Sequence, residues 1–235
     1  LKKIEKDHPE YVTPNSPTQH VGGSAKREAG VLVRHRVPML SLQDVFSKEE
    51  VQDFVKSMQE TLVDPVFVVE YKIDGLSMAL RYENGLLTTA ITRGDGIIQG
   101  EDVTVNAKVI KDVKNKLKEP IEYLEVRGEV YMTNEAFDKV NEIQELNNKK
   151  TFANPRNCAA GTLRQLDSRI TKQRNLSMFI FNIQDIRGKE ITSHSQGYEY
   201  LKIQGMKVID NYQVCHNFEE VWKAIEMIGE SRDQL

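Results

Sequence analysis

At 235 residues, with 39% apolar and 29% charged positions, the chain has the size and make-up of an ordinary soluble protein with one large domain or two modest ones. No apolar run approaches membrane-spanning length, and the opening LKKIEKDHPE lacks the apolar core of a signal peptide, so a cytoplasmic location and no membrane partner are expected. A net charge of −3 neither favours nor excludes nucleic acid, because a local basic patch suffices to neutralise phosphates.

Residues 1–10 read as the end of a helix stopped by Pro9, and YVTPNSPTQHVGGSAKREAG after it reads as a linker or wrapping loop. In SKEEVQDFVKSMQE, Ser47 and Glu50 form a capping box, and Val51, Phe54, Val55 and Met58 make a helical stripe. From 66 to 93 the period changes to that of strands: VFVVEYKI, LSMALRY and LLTTAITR. The turn signals Asp74-Gly75 and Glu83-Asn84-Gly85 between them predict an antiparallel meander. After the Gly/Asp-rich loop RGDGIIQGEDVT, the segment VTVNAKVIKDV fits either class. IEYLEVRGEVYMT is a further strand with Glu125, Arg127 and Glu129 on one face.

TNEAFDKVNEIQELN is an amphipathic helix on Phe137, Val140, Ile143 and Leu146. NPRNCAAGTLRQLDSRITKQR is rich in small and basic residues, and NLSMFIFNIQDI is an apolar strand. Two helices close the chain, one ending at Gly205 and one spanning NFEEVWKAIEMIGE, with KVIDNYQV as a short strand between them. Strands joined by hairpin turns and mixed with helices indicate an α+β fold built on antiparallel sheet. Cys158 and Cys215 have neither metal-ligand nor disulfide spacing. His8, His20, His35, His194 and His216 do not cluster and are read as surface or loop residues.

The stretch EYKIDG poses the functional question. On a strand, Glu70, Lys72 and Asp74 share one face, beside a core flanked by Val66, Val68 and Leu76. Asp74-Gly75 alone could be a hairpin turn with Lys72 facing solvent. The loop holding Arg93, Asp95 and Glu101 closes the next strand of the meander, however, so these charges can converge at one end of a sheet, as phosphate-handling sites require. A lysine there binds phosphate as a cation or attacks it as an amine. Attack requires the neutral form of a group whose ordinary pKa is about 10.4, and hence desolvation or neighbouring cations, of which Arg93 is a candidate.

Lys72-Ile73-Asp74-Gly75 matches the K-x-D-G attachment motif of the covalent nucleotidyltransferases, which include DNA ligases, RNA ligases and mRNA capping enzymes. It stands in company with SPTQHVGG at 16–23, VPMLSL at 37–42, TRGDGIIQGEDVT at 92–104, EVRGEVYM at 125–132 and FANPRNCAAGTLRQLDSRIT at 152–171. In that order these closely resemble the adenylation domain of bacterial NAD-dependent DNA ligases over nearly the whole chain. The resemblance implies the covalent nucleotidyltransferase fold, antiparallel sheets flanked by helices. It divides the chain into the tail of a helical domain at 1–10, a linker and start of the adenylation domain at 11–45, and its body at 46–235.

It also implies roles. Lys72 is the nucleophile on the α-phosphorus of NAD, expelling nicotinamide mononucleotide and holding AMP. Glu70 reads the adenine amino group, Ser41 and Leu42 line the adenine end, and Phe181 stacks on adenine. On alternation alone Phe181 is equally a core residue, and Phe179 faces the same way. Asp74 orients the lysine and ribose, Gly75 lets the chain turn, and Arg93 and Glu101 are essential loop residues. Glu129 contacts the ribose or helps hold a divalent metal, Mg²⁺ or Mn²⁺. Arg156 and Arg164 contact DNA. The expected partners are NAD or AMP and nicked double-stranded DNA, in replication and repair, with a monomeric protein.

Asn15 and His20 stand where the family often has Asp and Arg. The family's helical domain that grips the nicotinamide mononucleotide would precede Leu1, and its D-G-x-x-x-K and K-F-P segments would follow Leu235. On that reading the chain as given is expected to complete no ligation and to adenylate itself slowly. Two alternatives stand beside it: an ATP-dependent ligase or capping-type transferase, and a non-catalytic nucleotide- or DNA-binding module.

Overall fold

A computed structural model describes residues 30–209 and 211–231. The segments at 1–10 and 16–23, with His8, His20 and Asn15, lie outside the described residues. Strands β3 (Leu76–Glu83), β4 (Leu86–Thr92), β6 (Tyr123–Tyr131) and β7 (Ser177–Arg187) form a four-stranded antiparallel sheet in the order β4-β3-β6-β7. The expected hairpin at Asn84-Gly85 joins β3 to β4. Both residues have positive φ (49° and 78°), the pair of left-handed conformations that matches a two-residue turn to strand twist.

One face of this sheet carries the main core. Met78, Leu80, Tyr82, Leu124, Val126 and Val130 are all buried there, and they meet helices α4 (Pro155–Leu163) and α6 (His194–Ile203). The other face is polar and holds Ser77, Arg81, Glu125, Arg127 and Glu129. The register sets Ser77 opposite Glu129, Ala79 opposite Arg127 and Arg81 opposite Glu125. A two-stranded ribbon, β1 (Leu32–Arg34) with β5 (Gln99–Glu101), lies against Arg81 on that face. The ambiguous segment after β5 starts with the helical turn α2 (Thr104–Ala107).

A second sheet differs from the sequence expectation. Strand β2 (Phe67–Glu70) stops at Glu70 and pairs not with β3 but with β8 (Tyr212–Cys215). Helices α1 (Lys48–Thr61) and α7 (Phe218–Ser231) cover this pair, sealing a small core of Val55, Phe67, Cys215, Val221 and Ala224. Asp74-Gly75 is therefore no hairpin turn, and Lys72 lies on the crossing between two sheets. Gly75 is required there because a Cβ would overlap the Val130 carbonyl oxygen.

Ser47 caps α1 by accepting from the Glu50 N–H. The Glu50 carboxylate reaches the Phe46 N–H at 2.8 Å, one residue earlier than the usual capping box. Helix α3 (Asn134–Leu146) buries Val140, but Ile143 and Leu146 of its expected stripe are exposed. The basic segment after it folds into α4 and α5 (Ser168–Gln173). Among the described residues no helix is long and apolar enough to cross a membrane.

Candidate nucleotide site

The polar sheet face, the β2–β3 crossing and the ribbon enclose a cavity of about 1600 Å³. Its lining includes Ser41, Leu42, Glu70, Lys72, Gly75, Arg93, Glu101, Glu129, Arg156, Arg164 and Phe181, residues singled out from the sequence on six separate stretches. Asp74 is not among the lining residues. It is exposed on the crossing, and its carboxylate stands 3.9 Å from Arg156.

Glu70 ends β2 with its carboxylate already oriented. Tyr198 of α6 donates to Glu70 Oε2 at 2.7 Å, and its oxygen is also 3.1 Å from the Phe181 carbonyl oxygen. Burial, and then the bond to Glu70, pushes the Tyr198 phenol far above its ordinary value, so it stays a donor. His194, expected on the surface or in a loop, lines the cavity 3.7 Å from the same Glu70 oxygen. His35, read in the same way, is buried, and its Nε2 is 2.8 Å from the Arg93 carbonyl oxygen.

Phe181 stands beside this corner, with the Arg127 guanidinium 5.5 Å from its ring centre. Phe179 also lines the cavity, but Tyr131 stacks on it at 5.3 Å and the Lys207 ammonium sits 4.3 Å from its ring. That leaves Phe181 the less encumbered of the two. A register shift in the β6–β7 pairing falls beside it, between the Gly128–Ile180 and Arg127–Asn182 partners, and re-aims a side chain without ending the strand.

Glu129 accepts from Ser77 Oγ at 3.0 Å, and Ser77 in turn accepts from Arg127 Nη2 at 3.2 Å. Burial raises the Glu129 carboxyl above its ordinary range, against the Ser77 bond and the charges of Lys72, Arg127 and Arg156. A carboxyl with a raised folded pKa contributes stability at low pH and loses it as the pH climbs through that value. Glu129→Gln is therefore expected to raise the melting temperature at pH 7, with the gain shrinking toward the ordinary carboxylate range. A lower melting temperature at pH 7 would contradict this.

Asp95 shapes the loop that follows β4. One carboxylate oxygen accepts from the N–H groups of Ile97, Ile98 and Gln99 at 2.8–3.0 Å, which holds its carboxyl below the usual range. The turn delivers Arg93, whose Nε donates to the Met39 carbonyl at 3.1 Å. Glu101 and Arg164, given separate roles from the sequence, are bonded to each other at 3.0 Å.

Ser77, Arg127 and Tyr198 were missed as site residues. Arg127 had a visible signal in its alternation with Glu125 and Glu129, whereas Tyr198 reaches Glu70 across 128 positions and had none. Among the described residues no group of three or more His, Cys, Asp or Glu is placed to hold a metal by itself.

An antiparallel sheet with a K-x-D-G motif at the edge of an arginine-lined cavity is the arrangement of the nucleotidyltransferase fold. The family model for the NAD-dependent DNA ligase adenylation domain matches residues 30–235, and the chain belongs to that family. Over its full length it is 53% identical to a DNA ligase of Clostridium kluyveri, 51% to one of Caldicellulosiruptor saccharolyticus and 48% to one of Acetivibrio thermocellus. The chain spans 35% of the length of each of these relatives.

Proposed function

We propose that the chain forms and passes on a lysyl-AMP adduct in NAD-dependent DNA sealing. The Lys72 Nζ lone pair attacks the α-phosphorus of NAD. A P–N bond forms, the bond to the nicotinamide mononucleotide phosphate oxygen breaks, and the amine proton is lost to solvent. AMP then moves to the 5′-phosphate of a nick, and the adjoining 3′-hydroxyl displaces it. The observation that carries this reading is that Lys72 opens onto the same cavity as Glu70, Phe181, Glu129 and four arginines.

Within that cavity Glu70 accepts from the adenine amino group, held for the task by Tyr198. Phe181 offers a ring to the base, while Ser41 and Leu42 cover the opposite side. Arg93 places positive charge near the phosphates, and an arginine fork can grip two phosphate oxygens at once. The donor chemistry fits a Mg²⁺ or Mn²⁺ carried on the nucleotide phosphates, with Glu129 as its single protein carboxylate. Such an ion would neutralise charge on the phosphates. Asp74, exposed beside Arg156, fits orientation of the crossing better than direct contact with the ribose.

The test is intact-mass analysis and peptide mapping after incubation with NAD and Mg²⁺, with ATP in parallel. One AMP on Lys72 from NAD but not ATP is expected. Labelling from ATP alone, or at another lysine, would overturn the reading.

Arg156 and Arg164 are assigned to the DNA backbone. Arg164→Ala is expected to weaken binding of a nicked duplex and reduce the slope of log affinity against log salt by about one. Its exposed bond to Glu101 contributes at most about 1 kcal/mol, so the fold should be unaffected. An unchanged affinity and slope in a salt titration would remove the assignment.

A further inference from the structure

The segment from Arg34 to Leu42 is anchored at His35 and Met39, which are buried and whose N–H groups donate to the Ile98 and Gly96 carbonyls, and it is fastened further by three arginines. Sheet pairing ends with Arg34, and beyond it only His35 and Met39 are buried, while Leu40 and Leu42 are 66% and 76% exposed. Three carbonyl oxygens along the segment each accept from an arginine on a different strand or strand end. Arg81 Nη2 reaches the Arg34 oxygen at 2.9 Å, Arg93 Nε the Met39 oxygen at 3.1 Å, and Arg127 Nη1 the Leu40 oxygen at 2.8 Å. Charge-assisted bonds of this kind are roughly twice as strong as neutral ones. Between residues 41 and 45, no hydrogen bond among the described residues ties the chain to the sheet.

Arg127 is the last fastening before Ser41 and Leu42, and it does more than fasten. Its second terminal nitrogen donates to Ser77, which holds Glu129, and its guanidinium carbon lies over the Phe181 ring at 5.5 Å from the centre. We propose that Arg127 is a positioning residue that sets the 39–42 segment opposite the Phe181 ring and thereby fixes the width of the adenine slot. A lysine cannot replace it, because a single ammonium lacks the planar fork that serves Leu40 and Ser77 together while stacking on a ring. The second half of the proposal rests on the assignment of the adenine site above.

The test uses Arg127→Met and Arg127→Lys in the chain as it stands. Hydrogen exchange without nucleotide is expected to speed up in peptides covering 35–45 and to stay unchanged in the β6–β7 core. Affinity for adenosine and for AMP, by calorimetry, should fall by the same factor, about tenfold for the loss of charge-assisted bonds, with Arg127→Lys intermediate. Unchanged exchange at 39–45 overturns the proposal. So does an AMP affinity that falls while adenosine is unaffected, since Arg127 would then be a phosphate ligand. If the unaltered chain binds neither nucleotide, the adenine-site assignment fails, and the exchange arm still decides the fastening. Should Arg127→Met not fold, Arg127→Lys, which keeps charge and stem, carries both measurements.

Discussion

Lys72→Ala is expected to abolish AMP attachment while leaving the melting temperature and the affinity for adenosine unchanged. The lysine is exposed, and among the described residues its ammonium takes no hydrogen bond or salt bridge. Surface substitutions of that kind usually change stability by no more than about 0.5 kcal/mol. Glu70, Tyr198 and Phe181 hold one another without it, through the Tyr198 bonds to the Glu70 carboxylate and the Phe181 carbonyl. Among the described residues lining the cavity Lys72 is the one primary amine; beside it stand four guanidinium groups, which stay protonated, and the His194 imidazole. Intact mass reads the adduct, calorimetry reads adenosine, and differential scanning reads the fold. Residual labelling above that of a heat-denatured control would place the chemistry elsewhere.

Glu125→Ala is expected to cost about 3–5 kcal/mol of stability, the range for removing one partner of a buried ion pair. Glu125 is fully buried in β6, with its Oε2 3.4 Å from Arg81 Nε and accepting from the Tyr123 hydroxyl at 2.9 Å. Burial, followed by that bond, pushes the Tyr123 phenol up to about 12. Truncation leaves the buried Arg81 charge with only its bond to the Arg34 carbonyl, and the Tyr123 hydroxyl with no acceptor at Glu125. Replacing both Arg81 and Glu125 by apolar residues of similar volume should cost far less, because no lone charge remains. Urea unfolding at pH 7 measures both variants. A loss below about 1 kcal/mol for Glu125→Ala would mean that water reaches the pair and screens it.

These two variants separate what could be read in the sequence from what could not. The family was legible because the K-x-D-G motif at Lys72 is contiguous and stands with its companion segments in fixed order. The strand character of 76–93, 123–131 and 177–187 was legible from side-chain period. The Asn84-Gly85 turn was legible from its need for two positive φ values. Asp74-Gly75 misled because the same dipeptide serves a hairpin or a close backbone approach, and only the position of the Val130 carbonyl distinguishes them. With the hairpin went the meander: β2 found its partner at Tyr212–Cys215, a pairing that no local pattern announces.

The polar face of β6 is a further case. Alternation correctly put Glu125, Arg127 and Glu129 together, but an exposed face and a covered one have the same period. Once the β1–β5 ribbon lies over it, the three become a buried ion-pair partner, a fastening for the 34–42 segment and a carboxylate with a raised pKa. His35, read as a surface or loop residue, does lie in the loop after β1 but is buried there, and the sequence offered no sign of that burial.

By itself, then, the amino-acid order determined the family and most of the residues singled out around the cavity, because these rest on residue types in contiguous motifs. Tertiary structure alone decided which sheet β2 joins, which aromatic has the freer ring, that Glu101 and Arg164 share one bond, and that Tyr198 and Arg127 set the geometry around Glu70 and Phe181. The physical reason is range. Hydrophobic period and turn chemistry act over a few residues, whereas a side chain's burial and partners depend on segments that meet only after the chain has closed on itself.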